Sequence, residues 1–154
     1  MTKVSVIIPL HNSEAYITQT IDSCLAQTHD NIEIIVVENG SKDQGYQIVK
    51  SIDDKPLSVF QITTPNAAAA RNYGYKKATG AYIIFLDADD VMAPNKIELQ
   101  LKALSKKPKG FIACCAWAKF KTNTKEAIIT PQKVWNIQNP IDWCLQSWMG
   151  EGMM

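Results

Sequence analysis

Three carboxylates, Asp87, Asp89 and Asp90, follow directly on the apolar run Tyr82-Ile83-Ile84-Phe85-Leu86. Aromatic and β-branched side chains favour a strand, and a run with no polar interruption reads as one buried on both faces in the middle of a parallel sheet. Such a strand cannot hold charges within itself, so the acids belong where it emerges. Carboxylates this close repel one another unless a cation holds them, and their oxygens suit a hard divalent metal. The plainer alternative, that Asp89 or Asp90 caps a helix starting near Pro94, accounts for one acid and leaves two over. Two further clusters carry chemistry-capable groups, His11-Asn12 and Glu38-Asn39-Gly40-Ser41-Lys42-Asp43, and Arg71 stands alone in a third segment.

The elements between these clusters alternate. Val4 to Ile8 is a β-branched strand that Pro9, lacking a backbone donor, should stop. Asn12 or Ser13 is then placed to cap a helix whose apolar stripe is Ile17, Ile21, Cys24 and Leu25. A second strand runs from Ile32 to Val37 into the turn-forming acidic cluster, and Tyr46, Val49 and Ile52 mark a second helix. A third strand is expected over Ser58 to Thr63 and a helix over Asn66 to Ala78. Gly80 ends that helix, whereas Gly74 inside it makes sense only where something packs closely. After the acids, Pro94 suits a first helical position, with Ile97, Leu101 and Leu104 as the stripe. Phe111 to Phe120 reads as a strand, Ala127 to Thr130 as a short edge strand, and Asn139-Pro140 as the start of a last helix.

Strands alternating with helices imply βαβ units, a mostly parallel sheet and an α/β fold. Ligands of such sheets sit outside the carboxyl ends of the strands, so all three polar clusters should face one crevice. The 154 residues fit one domain, with sixteen Lys and Arg against fifteen Asp and Glu and a net charge of +1. That balance carries no nucleic-acid footprint, and no apolar run reaches the roughly 20 residues needed to cross a bilayer. Cys24, Cys114, Cys115 and Cys144 lack metal-site spacing and read as reduced core thiols of a cytoplasmic protein, Cys114-Cys115 within a strand.

Taken with their order and spacing, VSVIIPLHN (4–12), IEIIVVENGSKD (32–43) and ARNYGYKKATGAYIIFLDADD (70–90) resemble the family 2 glycosyltransferases of the GT-A fold. The resemblance covers roughly the first 100 residues. It implies a Rossmann-like sheet flanked by helices, with a donor half over 1–107 and an incomplete acceptor half over 108–154. By the same resemblance, Pro9, His11, Asn12 and Glu38 belong to the pocket for base and ribose of a nucleotide-diphospho-sugar, most often a UDP-sugar. Asn39 stands where relatives often have Asp, so its contact to the base would come from a neutral amide. Arg71 reaches toward the donor. Asp87 and Asp89 form the family's DxD motif, Ala88 between them leaving room for the donor. Asp89 takes the direct contact to Mn2+ or Mg2+, and Asp87 meets the metal or the ribose. The implied reaction is inverting transfer to a hydroxyl acceptor, glycan or lipid-linked. Its setting is cytoplasmic, with a peripheral place at the inner membrane face and a homodimer both compatible.

The chain departs from the family pattern in one respect. Nothing after Asp90 matches the acidic pair that serves as base, so the catalytic base is expected beyond Met154 and the chain reads as truncated. Asp142 is better explained by a helix start, and Glu151 lies too near the end to be held. Plainer readings stand beside several residues: an idle loop position for His11, a helix-surface ion pair for Arg71, turn capping for Glu38 and Asp43. Trp117, Trp135, Trp143 and Trp148 line an acceptor surface or belong to a core. The rival functions are a non-catalytic nucleotide- or metal-binding module, and a haloacid-dehalogenase-type phosphatase, which would carry DxD near its start.

Overall fold

The structure is a computed structural model of the chain that describes residues 1–108, 110–121, 123–129, 139 and 142. It divides into two compact units, Met1–Leu99 and Gln100–Met154, with the boundary inside a helix. The first unit holds β1 (Val4–Leu10), α1 (Ile17–Leu25), β2 (Ile32–Glu38), α2 (Gly45–Ser51), β3 (Leu57–Gln61), α3 (Ala67–Lys77) and β4 (Tyr82–Phe85). Helix α4 (Lys96–Leu104) crosses the boundary. The four strands form one sheet in the order β3-β2-β1-β4, with every pairing parallel.

The alternation of side chains gives the sheet two apolar faces. Ile7, Ile35 and Val37 share one face and pack with Ala70 of α3, with Phe60, Tyr73 and Ile83 at the margin. On the other face are Leu10 and its neighbours Val6 and Ile8; Leu10 lies against Gly45 at the start of α2, which packs on α1. All seven residues of β1 are buried. β1 is therefore the doubly covered strand. Tyr82–Phe85, expected to be the central one, forms an edge of the sheet among the described residues, and Tyr82 and Phe85 are exposed. Its aromatic run belongs to the end of a sheet, where a strand is paired on one side only.

Pro9 does not stop β1. The strand stays paired with β2 through Leu10↔Glu38 but pairs with β4 only through Ile7↔Phe85. The Leu86 N–H donates to the Ile7 carbonyl at 3.0 Å, and residues two apart along a strand present their backbone to the same side. The donor that Pro9 lacks therefore falls on the β4 side, where it ends that ladder alone.

Two glycines set the distance between layers. A Cβ on Gly74 would sit 2.5 Å from Ile7 Cγ2 and 3.4 Å from that of Val37, so α3 rides directly on β1 and β2. Gly80 is not the helix end, since α3 stops at Lys77; a Cβ there would come within 2.6–2.9 Å of Ser5 and the Val4 carbonyl carbon. Beside it lies a polar clamp at the amino ends of the strands. The Glu33 carboxylate accepts from Ser5 Oγ at 2.5 Å and the Thr79 N–H at 2.6 Å, and pairs with Lys3 Nζ at 2.8 Å. Burial opposes its ionisation, yet these donors outweigh burial and hold the carboxyl at about 2.

Asn66 caps α3 as its sequence indicates, Oδ1 accepting from the Ala68 and Ala69 N–H groups. Asn12 and Ser13 are not side-chain caps of α1; the Ser13 carbonyl takes the Tyr16 and Ile17 N–H groups instead. α4 begins at Lys96, two residues past Pro94, so neither Asp89 nor Asp90 is its N-cap.

In the second unit, β5 is only Ala118–Lys119, paired antiparallel with β6 (Ile128–Ile129) around a 3-10 turn capped by Asn123. Residues 111–117 are not the expected strand, for no ladder runs beside them among the described residues. Cys114 and Cys115 are accordingly exposed free thiols, not core, while Cys24 is buried and its thiol is pushed up to about 12. Trp117 is partly exposed, and the Asn139 side chain accepts from the Asp142 N–H at 3.3 Å, as a helix start would. The rest of the expected last helix, with Cys144 and Trp148, lies outside the described residues, as do Trp135, Trp143 and Glu151.

Two stability changes follow. Replacing Gly74 by Ala should improve helix propensity by about 1 kcal/mol but cost more through the collision with Ile7, for a net loss of about 1–2 kcal/mol in urea unfolding. Glu33→Gln should cost about 2 kcal/mol at neutral pH, discounted for the exposed Lys3. Because the folded carboxyl is depressed, that contribution is present above ~4.3 and is lost as pH falls toward about 2. Over that window the wild-type and Glu33→Gln unfolding midpoints should converge.

Candidate functional site at the carboxyl ends of the strands

The loops after β1 and β2 are stitched together residue by residue. Asn12 adopts φ 48, one of the few side chains that tolerate this region. Its N–H donates to Ser41 Oγ at 3.2 Å, and its Oδ1 accepts from the Lys42 N–H at 2.8 Å. Asn12 Nδ2 lies 3.1 Å from His11 Nε2, and His11 itself is exposed. Asp43 and Glu14 cross over: Asp43 accepts from the Glu14 and Gly45 N–H groups, and Glu14 from that of Gln44. Asp43 thus has the structural role, joining the first loop to the start of α2.

Glu38 and Asn39 are buried at the end of β2. Glu38 Oε1 accepts from the Ser41 N–H, while Glu38 Oε2 and Asn39 Oδ1 are buried without a hydrogen-bond partner. Burial works against a charge on Glu38, but Ser41, the Gln61 amide and the Gly40 N–H hold its carboxyl below the usual range. One oxygen of an otherwise held carboxylate, Glu38 Oε2, and the Asn39 amide oxygen are thus left needing donors that the described residues do not supply. Sugar hydroxyls and base N–H groups would supply them.

At the end of β4 the chain continues to alternate after leaving the ladder. Leu86 and Ala88 are buried, and Asp87 and Asp89 turn outward. Ala88 therefore packs beneath the loop instead of bordering open space. Arg71, from the middle of α3, forms an ion pair with Asp87, the two side chains 34% and 55% exposed. The ion pair expected of Arg71 on the helix surface is thus made with the first acid after β4. The Asp90 carboxyl is pushed up by burial, then by Asp89 and Asp87, with Lys96 opposing.

A divalent cation is compatible with this arrangement. Of the three acids, only Asp87 has an ion-pair partner among the described residues, and Asp90 registers the unbalanced negative charge. Among the described residues no three His, Cys, Asp or Glu side chains converge as a ready cage, so a cation there would depend on oxygens from its ligand as well.

α1 supplies residues that sequence reading passed over. Thr20 Oγ1 donates to the Ala88 carbonyl at 2.9 Å, and Ser23 Oγ accepts from the Met92 N–H at 3.1 Å. The Gln27 amide takes the Ile97 N–H and donates to the Ala93 carbonyl at 2.8 Å, and the Thr28 N–H donates to the Pro94 carbonyl. The available signal was their spacing: positions 20 and 23 lie on one side of α1, next to the stripe Ile17, Ile21 and Cys24, and Gln27 follows just past the helix end.

Comparison with known proteins agrees with this geometry. An uncharacterized glycosyltransferase of Haemophilus influenzae is 46% identical over 104 residues, 66% of this chain and 42% of that protein. Glycosyltransferase GlyA of Streptococcus pneumoniae is 36% identical over 104 residues, 66% of this chain and 15% of that protein. The chain thus spans less than half the length of either relative. Among solved structures, S. aureus TarS in complex with UDP-GlcNAc superposes with TM-score 0.58 and 35% identity over 68% of this chain and 31% of that one. The mannosyltransferase PcManGT of Pyrobaculum calidifontis, in complex with GDP-Man and Mn2+, gives 0.63 and 27% over 68% and 32%. The parallel sheet with flanking helices is common to them, and the glycosyl transferase family 2 pattern runs over residues 5–147. By that match, over nearly all its length, the chain belongs to glycosyl transferase family 2.

Proposed function

We propose that the chain carries the donor site of a glycosyltransferase, binding a nucleotide-diphospho-sugar with a divalent cation for inverting transfer to a hydroxyl acceptor. The observation that carries this reading is the exposed pair Asp87 and Asp89 after β4, at the same carboxyl edge of the sheet as the unpartnered acceptor atoms of Glu38 and Asn39 at the end of β2, with β1 between them. Nucleoside diphosphate sugars in the complexes of TarS and PcManGT, one of them with Mn2+, support it.

Each residue has a task under this reading. Glu38 and Asn39 accept hydrogen bonds from the base and ribose, and Glu38 is ionised throughout the neutral range because its carboxyl is held low. Pro9 lies buried within β1, paired with Val37 of β2, and His11 and Asn12 form the rim, with Asn12 fixed to Ser41 and Lys42. Asp89, with no ion-pair partner among the described residues, and Asp87 would hold Mn2+ or Mg2+. That cation, when bound, neutralises the charge that develops on the leaving diphosphate. Arg71 is a second cation within reach of the same phosphates, released to them in exchange for Asp87. UDP is the base we favour. The acceptor is a glycan or lipid-linked hydroxyl, and among the described residues no helix is long and apolar enough to cross a membrane. A module that binds nucleotide without turnover remains the second reading, supported by the partial span of the relatives.

Calorimetric titration with UDP, GDP and CMP should give binding of a nucleoside diphosphate that depends on Mn2+; no metal-dependent binding of any of them would sink the proposal. Asp89→Asn should weaken the Mn2+-dependent component roughly tenfold, about 1.4 kcal/mol. Arg71→Gln should lower UDP affinity roughly fivefold and flatten its salt dependence, as expected for loss of one charged phosphate contact. Unchanged affinity and salt slope would remove Arg71 from the site.

A further inference from the structure

We propose that Thr20 of α1 is a positioning residue for Asp89, acting through the Ala88 carbonyl; this rests on the donor-site reading above. A threonine inside a helix ordinarily returns its hydroxyl to the carbonyl four residues back. Thr20 has that option, with the Tyr16 carbonyl at 3.4 Å, but its shorter bond, 2.9 Å, crosses to Ala88. Thr20 is fully buried and Ala88 nearly so, so the carbonyl has no water to replace a lost donor. The consequence is geometric. The Ala88 carbonyl lies in the same rigid peptide plane as the Asp89 N–H and Cα. Fixing that carbonyl inward fixes the plane from which the Asp89 side chain leaves.

The neighbouring contacts extend this hold along the loop without duplicating it. Ser23 Oγ donates to the Thr20 carbonyl at 2.7 Å and receives the Met92 N–H. Gln27 holds Ala93 and Ile97. These bonds fix the exit of the loop, three or more residues past Asp89. Among the described residues, Thr20 supplies the one side-chain bond to the backbone of the acid segment 87–90. The side chain that aims the metal-facing acid therefore acts from a helix, through a carbonyl 68 residues away in sequence.

The test compares wild type, Thr20→Val and Thr20→Ser by calorimetry with UDP and Mn2+, with uridine, and by thermal melting. Thr20→Val keeps the shape and removes the hydroxyl. It should weaken Mn2+-dependent UDP binding roughly fivefold, the effect of one hydrogen bond, while leaving uridine binding unchanged. Thr20→Ser should restore wild-type affinity. Equal UDP affinity in wild type and Thr20→Val overturns the positioning role, as does an equal loss for UDP and uridine, which would mark a general structural effect. Failure of Thr20→Ser to restore binding overturns it too. Wild type without Mn2+-dependent UDP binding overturns the donor-site reading and this role with it. If Thr20→Val does not fold, Thr20→Ala, which removes the same hydroxyl with less bulk, is read against the same outcomes.

Discussion

The architecture depends on β1 being paired unequally on its two sides. With β2 it keeps its ladder to Leu10, and with β4 it keeps it only to Ile7. Pro9 supplies the asymmetry, because the donor it lacks faces β4 and not β2. On the β2 side the continued ladder carries Glu38 to the end of the sheet as a buried residue, with Asn39 tied back to Leu10. On the β4 side the chain is released one residue past Phe85, and the acids leave the sheet where charge can be solvated. A single imino acid therefore separates the two strands that flank β1, the end of β2 carrying a buried acceptor pair and the end of β4 an exposed carboxylate pair.

The layers around β1 serve that geometry from opposite ends. At the amino ends, Glu33, Ser5, Thr79 and Gly80 bind the turn after α3 to β1 and β2, fixing where β4 starts. At the carboxyl ends, α1 and Gln27 just past its end hold the stretch from Ala88 to Ile97 by side-chain hydrogen bonds. Gly74 lets α3 approach the sheet, and Arg71, three residues before it on the same helix, meets Asp87. β4 makes only four pairings with β1, so its placement owes much to these lateral contacts.

Much of this was legible in the chain. Alternating apolar runs and helical stripes gave four parallel strands and four helices close to their observed bounds, since both periodicities are local properties of the sequence. The clusters His11-Asn12, Glu38-Asn39 and Asp87-Asp89 were brought to one edge by the topology alone. Sequence also exposed the meaning of Gly74, because glycine inside a helix demands a close neighbour. The strand expected over residues 111–120 was not legible in the same way. Its composition fits a strand, but a strand exists only with a partner, and the observed pairing spans two residues.

The order of elements and the edge of the sheet at which the acids emerge are set by the residue pattern, because strand direction in βαβ units is fixed by connection. Packing settles which strand is central, which side of Pro9 lacks its bond, and which partner each polar side chain takes. Tyr82–Phe85 looked like a core strand because apolar content reports what a residue can bury and not what stands beside it. Thr20 and Ala88, Glu33 and Thr79, and Arg71 and Asp87 meet across 68, 46 and 16 residues of chain. Hydrogen bonds over such separations depend on the packed positions of whole elements, which no local pattern encodes.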